Sequence, residues 1–508
     1  MTAIFDDRNR QIVPRWYPYR IAWELGELAS ATPIEKPESK SMGEFERKCH
    51  DWQLHRRLPY AIEVVGTALL FNITRNPVAT EAAEFIISKE SSASDVAVQL
   101  ARQYINADRT GEYTLPNTCF EDESAVHQMI ASLKVYAREY PSNAVAWCDL
   151  AYYYSILGQI KHAETCMGTA TYISRDNRFI LRSAARCFLH LGAPDKALWL
   201  LRKSNLSKSD PWVISAEIAI AEAFKQSPKL VKRAQYVMQD SRFFPKSTSE
   251  LAGTLGTLEL KNGNKNKAKK LLKLSLIDPN ENALAQAVWL TPDLGKEDFI
   301  SGIKVIAQYE ADARSFFRKK DYSSALNSSM AWLRFQPFSA RPAVFGSYVA
   351  SVCLRDDAKA ADIIRRAMCA SAESFLLQNN YAFALASIGK LDDADYAIEK
   401  AARLQSNEGE RNVLNATRGL IHFRRGNIAQ ARELYQKAID GFHKRGNDHS
   451  KALALLFWAR EEHLHGTKEY SDIIARAREL ILSRNETELV DYLKSLTVTA
   501  NRPRGDRK

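Results

Sequence analysis

A chain of 508 residues with 45% hydrophobic and 26% charged residues is larger than one compact core usually grows, so it divides into domains or stacks repeated units. Its most apolar run, Ala61 to Ile73, carries Glu63 and is too short to span a bilayer, and Met1 to Arg10 is polar and charged, so neither a membrane span nor a secretion signal is expected. The net charge of +11 is unevenly placed, and outside one basic stretch and the C-terminal tail the chain is close to balanced.

Residues 1–57 follow no repeat and read as an arm, a linker and a helix. The run Pro14-Arg15-Trp16-Tyr17-Pro18-Tyr19, with Trp23 after it, is rigid and aromatic. Trp16, Tyr17, Tyr19 and Trp23 are too apolar to stay solvated together, so they are expected to dock on the chain's own helices, on a partner or on a second copy. Thr32 to Met42 has linker composition. Phe45, Cys49 and Trp52 then share one helical face. From 58 to 143 a helical rhythm runs in degenerate form through Leu69, Leu70, Ile73, Ala82 and Ile86, with Asn76-Pro77 opening a second helix. A helix near 123–139 follows a loop with Gly111 and Pro116.

At Ala144 a period of 34 begins. Trp147, Leu150, Ala151, Tyr154, Gly158, Ala163, Met167 and Ala170 are matched 34 residues on by Leu181, Ala184, Ala185, Phe188, Gly192, Ala197 and Leu201. Three- and four-residue steps place each set on one helical face, a glycine ends the first helix, and alanines let the second helix cross closely. Comparable windows open at Ser249, Ile306, Phe375 and Asn412, with weaker ones at Ser215, Arg341 and Ala452. The pattern resembles the tetratricopeptide repeat family. The resemblance implies an all-α, right-handed superhelical solenoid of stacked helix-turn-helix units, about 10 to 11 helix pairs. The boundaries read as a first block over 144–282, a register break or hinge at 283–305 (Pro292, Gly295, Gly302), a second block over 306–485, a capping helix at 486–497 and a basic tail at 498–508.

The resemblance implies a non-catalytic protein–protein interaction scaffold or adaptor subunit, with first helices lining a concave groove for a partner segment. In that frame Arg182 and Arg186, Arg314 and Arg318, Arg424 and Arg460 face the groove, with Asn379 and Asn380 between them. Arginine forks suit carboxylates, so an acidic or mixed segment is expected there. The alternative use of these arginines is pairing with acids in adjacent units.

Catalytic signatures are not evident: there is no phosphate-cradling glycine loop, GxSxG elbow or HExxH helix. Neither a metal nor a cofactor is expected. Glu461-Glu462 with His463 and His465 reads as an exposed polar helix end. Seven scattered cysteines (Cys49, Cys119, Cys148, Cys166, Cys187, Cys353, Cys369) have no paired spacing, which fits a reduced, cytoplasmic chain. Between Lys225 and Lys273 there are 12 basic against 3 acidic residues. Lys265, Lys267, Lys269, Lys270 and Lys273 lie on a second helix, expected on the convex side. That helix lacks interleaved aromatics, so it supports only non-specific phosphate contact, the basis of an alternative reading as a nucleic-acid-associated subunit. A third reading is an enzyme whose site residues 1–57 complete.

Overall fold

The computed structural model describes residues 11–25, 39–70, 73, 76–106, 123–295, 300, 302–484 and 486–500. Within them every regular element is helical. An extended arm, residues 11–18, leads into α1 (Tyr19–Glu24). Four helices form an N-terminal cluster: α2 (Ser39–His55), α3 (Leu58–Leu70), α4 (Pro77–Ser88) and α5 (Asp95–Asn106). Phe45, Cys49 and Trp52 are buried in its core with Val64, Ala82 and Ile86. Then α6 (Glu123–Glu139) packs on the first regular hairpin.

The hairpins of the stack are α7 (Ala144–Ile156) with α8 (Ile160–Ile173), α9 (Arg178–His190) with α10 (Pro194–Lys203), α11 (Pro211–Ala223) with α12 (Val231–Gln239), and α13 (Pro245–Lys261) with α14 (Lys265–Ser275). After the single helix α15 (Glu281–Leu294) come α16 (Tyr309–Arg318) with α17 (Tyr322–Phe335) and α18 (Ala340–Tyr348) with α19 (Asp357–Ser371). They are followed by α20 (Phe375–Ser387) with α21 (Leu391–Leu404), α22 (Glu408–Arg424) with α23 (Ile428–Lys444), and α24 (Asp448–His465) with α25 (Tyr470–Arg484). The last helix is α26 (Thr487–Ala500), and a π-helical stretch, Val349–Leu354, extends α18.

Local chemistry sets the units. Asn143, Asn177, Asp210, Asn280, Ser374, Asn407 and Asn447 cap first helices, each side chain accepting from backbone N–H groups that the helix leaves unpaired. The hairpin turn passes through the left-handed region at Gly158 (φ 66°) and Gly192 (φ 73°), where glycine is cheapest. Lys225, Lys320 and Arg355 take the same conformation without glycine, at φ 56°, 62° and 60°, which is why the glycine signal fades in those units. On the second helices Ala163, Ala197, Ala234, Ala268, Ala325, Ala360, Ala394 and Ala431 are all 0% exposed, so each pair closes on a small side chain.

First helices α7, α9, α11, α13 and α15 touch in series, whereas second helices pack mainly on their own partners. The stack therefore curves with first helices inside. It curls far enough that α19 touches α7, and Phe338 and Ala370 join the core of the block that begins at Ala144.

The break expected at 283–305 is, through Leu294, an ordinary buried helix: Ala283, Leu284, Ala287, Val288 and Leu290 are core residues of α15. Pro292 has no N–H to offer the carbonyl of Val288 four residues back. Arg318 supplies the missing donor, its Nη1 lying 2.9 Å from that oxygen. The capping helix reaches further than the last unit. Leu489, Tyr492, Leu493 and Leu496 are buried, and α26 packs on Val349–Leu354 as well as on α24 and α25.

Candidate functional site

The inner side of the first block is a channel, and the arm runs through it. Gln11 Nε2 donates to the Thr254 carbonyl at 3.1 Å, and the Ile12 N–H donates to Gln286 Oε1 at 2.7 Å. Arg15 bridges two helices, with Nε 2.7 Å from Glu281 and Nη2 2.9 Å from Glu310. Trp16, 0% exposed, stands edge-on to Tyr152 (5.4 Å between ring centres) and lies 5.3 Å from Phe338. The Tyr17 hydroxyl binds Glu281, and its ring packs 4.7 Å from Phe335. The Tyr19 N–H donates to Asp149 at 2.9 Å, and its ring meets Phe179 edge-on at 5.3 Å. One short segment thus ties together α7, α9, α13, α15, α16 and α17. The Trp23 side chain lies outside the described residues.

Electrostatics explains the fit. Burial alone would raise the Glu310 carboxyl, but Arg341, Arg314 and Arg15 surround it at 3.0, 2.8 and 2.9 Å and hold it at about 2. Burial pushes Asp149 up to about 7, the Tyr19 N–H only partly offsetting it. A buried carboxylate is tolerated only when charges or donors meet it, and here the arm supplies some of them.

Most of the arginines expected on the groove wall take the alternative use, pairing with acids of the chain itself. Arg182 makes two 2.9 Å hydrogen bonds to Glu250, which also accepts from Asn280 at 2.6 Å, and its guanidinium lies 4.8 Å over the Trp212 ring. Burial opposes ionisation of Glu250, but the Arg182 charge overrides it and lowers its pKa. Arg314 binds Glu310 within its own helix, and Arg318 serves the Val288 carbonyl. Arg424 and Arg460 converge on Glu461 at 2.6 and 2.7 Å, with Glu461 0% exposed. Asn379 and Asn380 are fully buried and bond to each other at 3.3 Å, inside the core rather than on the groove wall. Only Arg186 differs: it lies 4.9 Å over Phe338, near Arg341 and Arg15, with no carboxylate bonded to it among the described residues. Desolvation and those two like charges lower it to about 10.

The wall the sequence reading missed is acidic. Glu250, Glu281 and Glu310 sit on first helices and are buried. A signal was available in Tyr309-Glu310-Ala311, where an acid flanked by apolar residues must find a cation. Glu461 and Glu462 correct the reading of an exposed helix end: both are 0% exposed, and Glu462 takes Arg432 and the Trp458 indole N–H. His465 bonds the Glu461 carbonyl, and His463 packs against Tyr470. Among the described residues no group of three or more His, Cys, Asp or Glu is placed to hold a metal ion, and no helix is long and apolar enough to cross a membrane. In the Lys-rich helix, Lys265, Lys270 and Lys273 are exposed and Lys269 half-buried, while Lys267 binds Glu259 at 2.5 Å.

The tetratricopeptide repeat family model matches residues 144–177, the α7–α8 unit. No curated protein matches the sequence. Solved structures similar to this chain include yeast Tom70 (TM-score 0.30, 10% identity, covering 74% of this chain and 96% of that one). Another is the human IFIT1 dimer with PPP-AAAA (TM-score 0.34, 14% identity, covering 92% and 96%). The α7–α8 hairpin is a tetratricopeptide repeat, and the described residues form an all-α solenoid of helix pairs, an architecture suited to protein–protein interaction.

Proposed function

We propose that this solenoid of tetratricopeptide-type helix pairs is a non-catalytic adaptor subunit of a cytoplasmic complex, and that its inner channel recognises an extended arginine–aromatic segment. The observation that carries this reading is Arg15 seated between Glu281 and Glu310, with Trp16 and Tyr17 in aromatic pockets beside it. The channel already works as a segment-binding groove, with the chain's own arm as the resting occupant. A partner segment of the same chemistry takes the arm's place. This reverses the charge expected from the sequence, because the wall's arginines are mostly matched by its own carboxylates. Among the described groove arginines, Arg186 is the one suited to an acidic group of the partner. The cytoplasmic assignment rests on the cysteines: Cys148, Cys166 and Cys187 are free, buried thiols.

The test is a titration of a labelled peptide of residues 10–25 against the wild-type chain and an Arg15→Ala, Trp16→Ala chain. The peptide should bind the variant at least about ten-fold tighter, since its channel is vacated, a difference of about 1.4 kcal/mol. Glu281→Gln in that background should weaken binding again. A peptide that binds neither chain, in variants that remain folded by circular dichroism, would show the arm to be a fixed strut.

A further inference from the structure

The Lys-rich helix α14 follows two other second helices, α10 and α12, and exposed aromatics stand on or beside those helices among lysines and arginines. Trp199 on α10 is 56% exposed, Phe224 at the end of α11 43%, and Tyr236 on α12 63%. Hydrogen bonds make the surface continuous. Arg202 of α10 donates to the Ser227 carbonyl at 3.1 Å, Gln226 donates to Asp195 at 2.6 Å, and Arg233 of α12 reaches the Lys208 carbonyl. Leu271 of α14 packs on the cluster that contains Val237 of α12.

The segment that carries this face, Lys196 to Lys273, is one-sided in charge when its outer and inner residues are counted together, and Asp195 at its edge is held by Gln226. Six acidic residues lie between Lys196 and Lys273, and each is already bound to a basic side chain: Asp210 to Arg178, Glu217 to Arg202, Glu222 to Lys261, Asp240 to Arg242, Glu250 to Arg182 and Glu259 to Lys267. The same stretch has sixteen lysines and arginines, of which Lys196, Arg202, Arg242, Lys261 and Lys267 are engaged by carboxylates. The other eleven, Lys203, Lys229, Lys232 and Lys270 among them, have no carboxylate partner among the described residues. One of them, Arg233, lies 5.1 Å over the Tyr236 ring.

We propose that this outer face binds single-stranded nucleic acid, with the unpaired lysines tracking phosphates and Trp199, Phe224 and Tyr236 stacking on bases. A polyanionic protein would use the lysines but has no need of three exposed rings, and a duplex hides the base faces that the rings require. The inference is independent of the channel, which lies on the opposite side of the helix pairs.

The test is fluorescence anisotropy of the full chain with a labelled single-stranded oligonucleotide. Trp199→Ala with Tyr236→Ala should weaken binding at least about ten-fold, because each lost stack removes part of the affinity. Lys229→Glu with Lys232→Glu should weaken it too and flatten its salt dependence, since fewer counterions are released. All four positions are exposed, so unchanged thermal melting is expected for both variants. Polyglutamate or a duplex of equal length that binds as tightly as the single strand overturns the proposal. So does an aromatic double variant that binds like wild type.

Discussion

Replacing Trp16 by alanine tests how much the seated arm, as resting occupant, stabilises the helices around it. An aromatic side chain of this kind buries about 200 Å², which at about 25 cal/mol per Å² corresponds to roughly 5 kcal/mol. The extended reference chain makes that an upper estimate, while each ring contact to Tyr152 and Phe338 adds about 0.5–1.5 kcal/mol. Trp16→Ala is therefore expected to cost about 3–5 kcal/mol, the range for buried aromatic-to-alanine changes. The loss should be regional, because solenoid units couple chiefly to neighbours. Tyr152 belongs to α7 and Phe338 precedes α18, so the substitution loosens the contact that closes one turn of the superhelix. In hydrogen exchange with mass spectrometry, α7, α9 and the start of α18 should lose protection while α22 to α24 keep theirs. A stability change below about 1 kcal/mol by denaturant titration at 222 nm, with α7 still protected, would refute the reasoning.

Two glycine substitutions should separate by sign. In Gly419→Ala the new methyl meets Tyr435 Cδ2 at 2.7 Å and should cost about 1–3 kcal/mol, whereas Gly168→Ala, with nothing within 4 Å, should gain about 0.5–1 kcal/mol of helix stability in the same melts. Arg318→Met leaves the Val288 carbonyl without its donor and should cost about 1–3 kcal/mol; in a Pro292→Ala background, where an N–H is restored, the cost should shrink, and additive double-mutant melting would contradict the assignment. Asp149 is raised to about 7 from an unfolded value of 3.8, so the folded chain binds the extra proton and its stability falls as pH rises through that window. Asp149→Asn should gain on wild type in stability from about pH 4 to about pH 7, the window between those two values, and level off above it; a constant difference in melting temperature across that window would contradict it.

The helix pairs were readable because their signals are local: a capping Asn or Asp, an alanine at the crossing and a glycine at the turn recur at the repeat spacing. Where Lys320 and Arg355 replace the turn glycine, the register weakened though the geometry did not. Pro292 looked like a break because the compensating donor, Arg318, lies on the next helix. Which of the two uses the groove arginines take was unreadable for the same reason. Arg182 shows its arginine in sequence, but its partner Glu250 is 68 residues away and becomes a neighbour only when the stack curves. The aromatic arm announced that it must dock, yet its seat is assembled from six helices and could not be inferred from any one of them. Likewise, Trp199 and Tyr236 join the lysine surface only in three dimensions.

The most direct test of the channel reading is photocrosslinking from within it. Phe179, partly buried against Tyr19, is replaced by benzoylphenylalanine in a chain carrying Arg15→Ala. That chain is expressed in its native cells and irradiated, and the captured segments are sequenced. Foreign segments with an arginine beside a tryptophan or tyrosine are the predicted result. Acidic segments without such a pair, or crosslinks confined to the chain's own arm, would contradict the account.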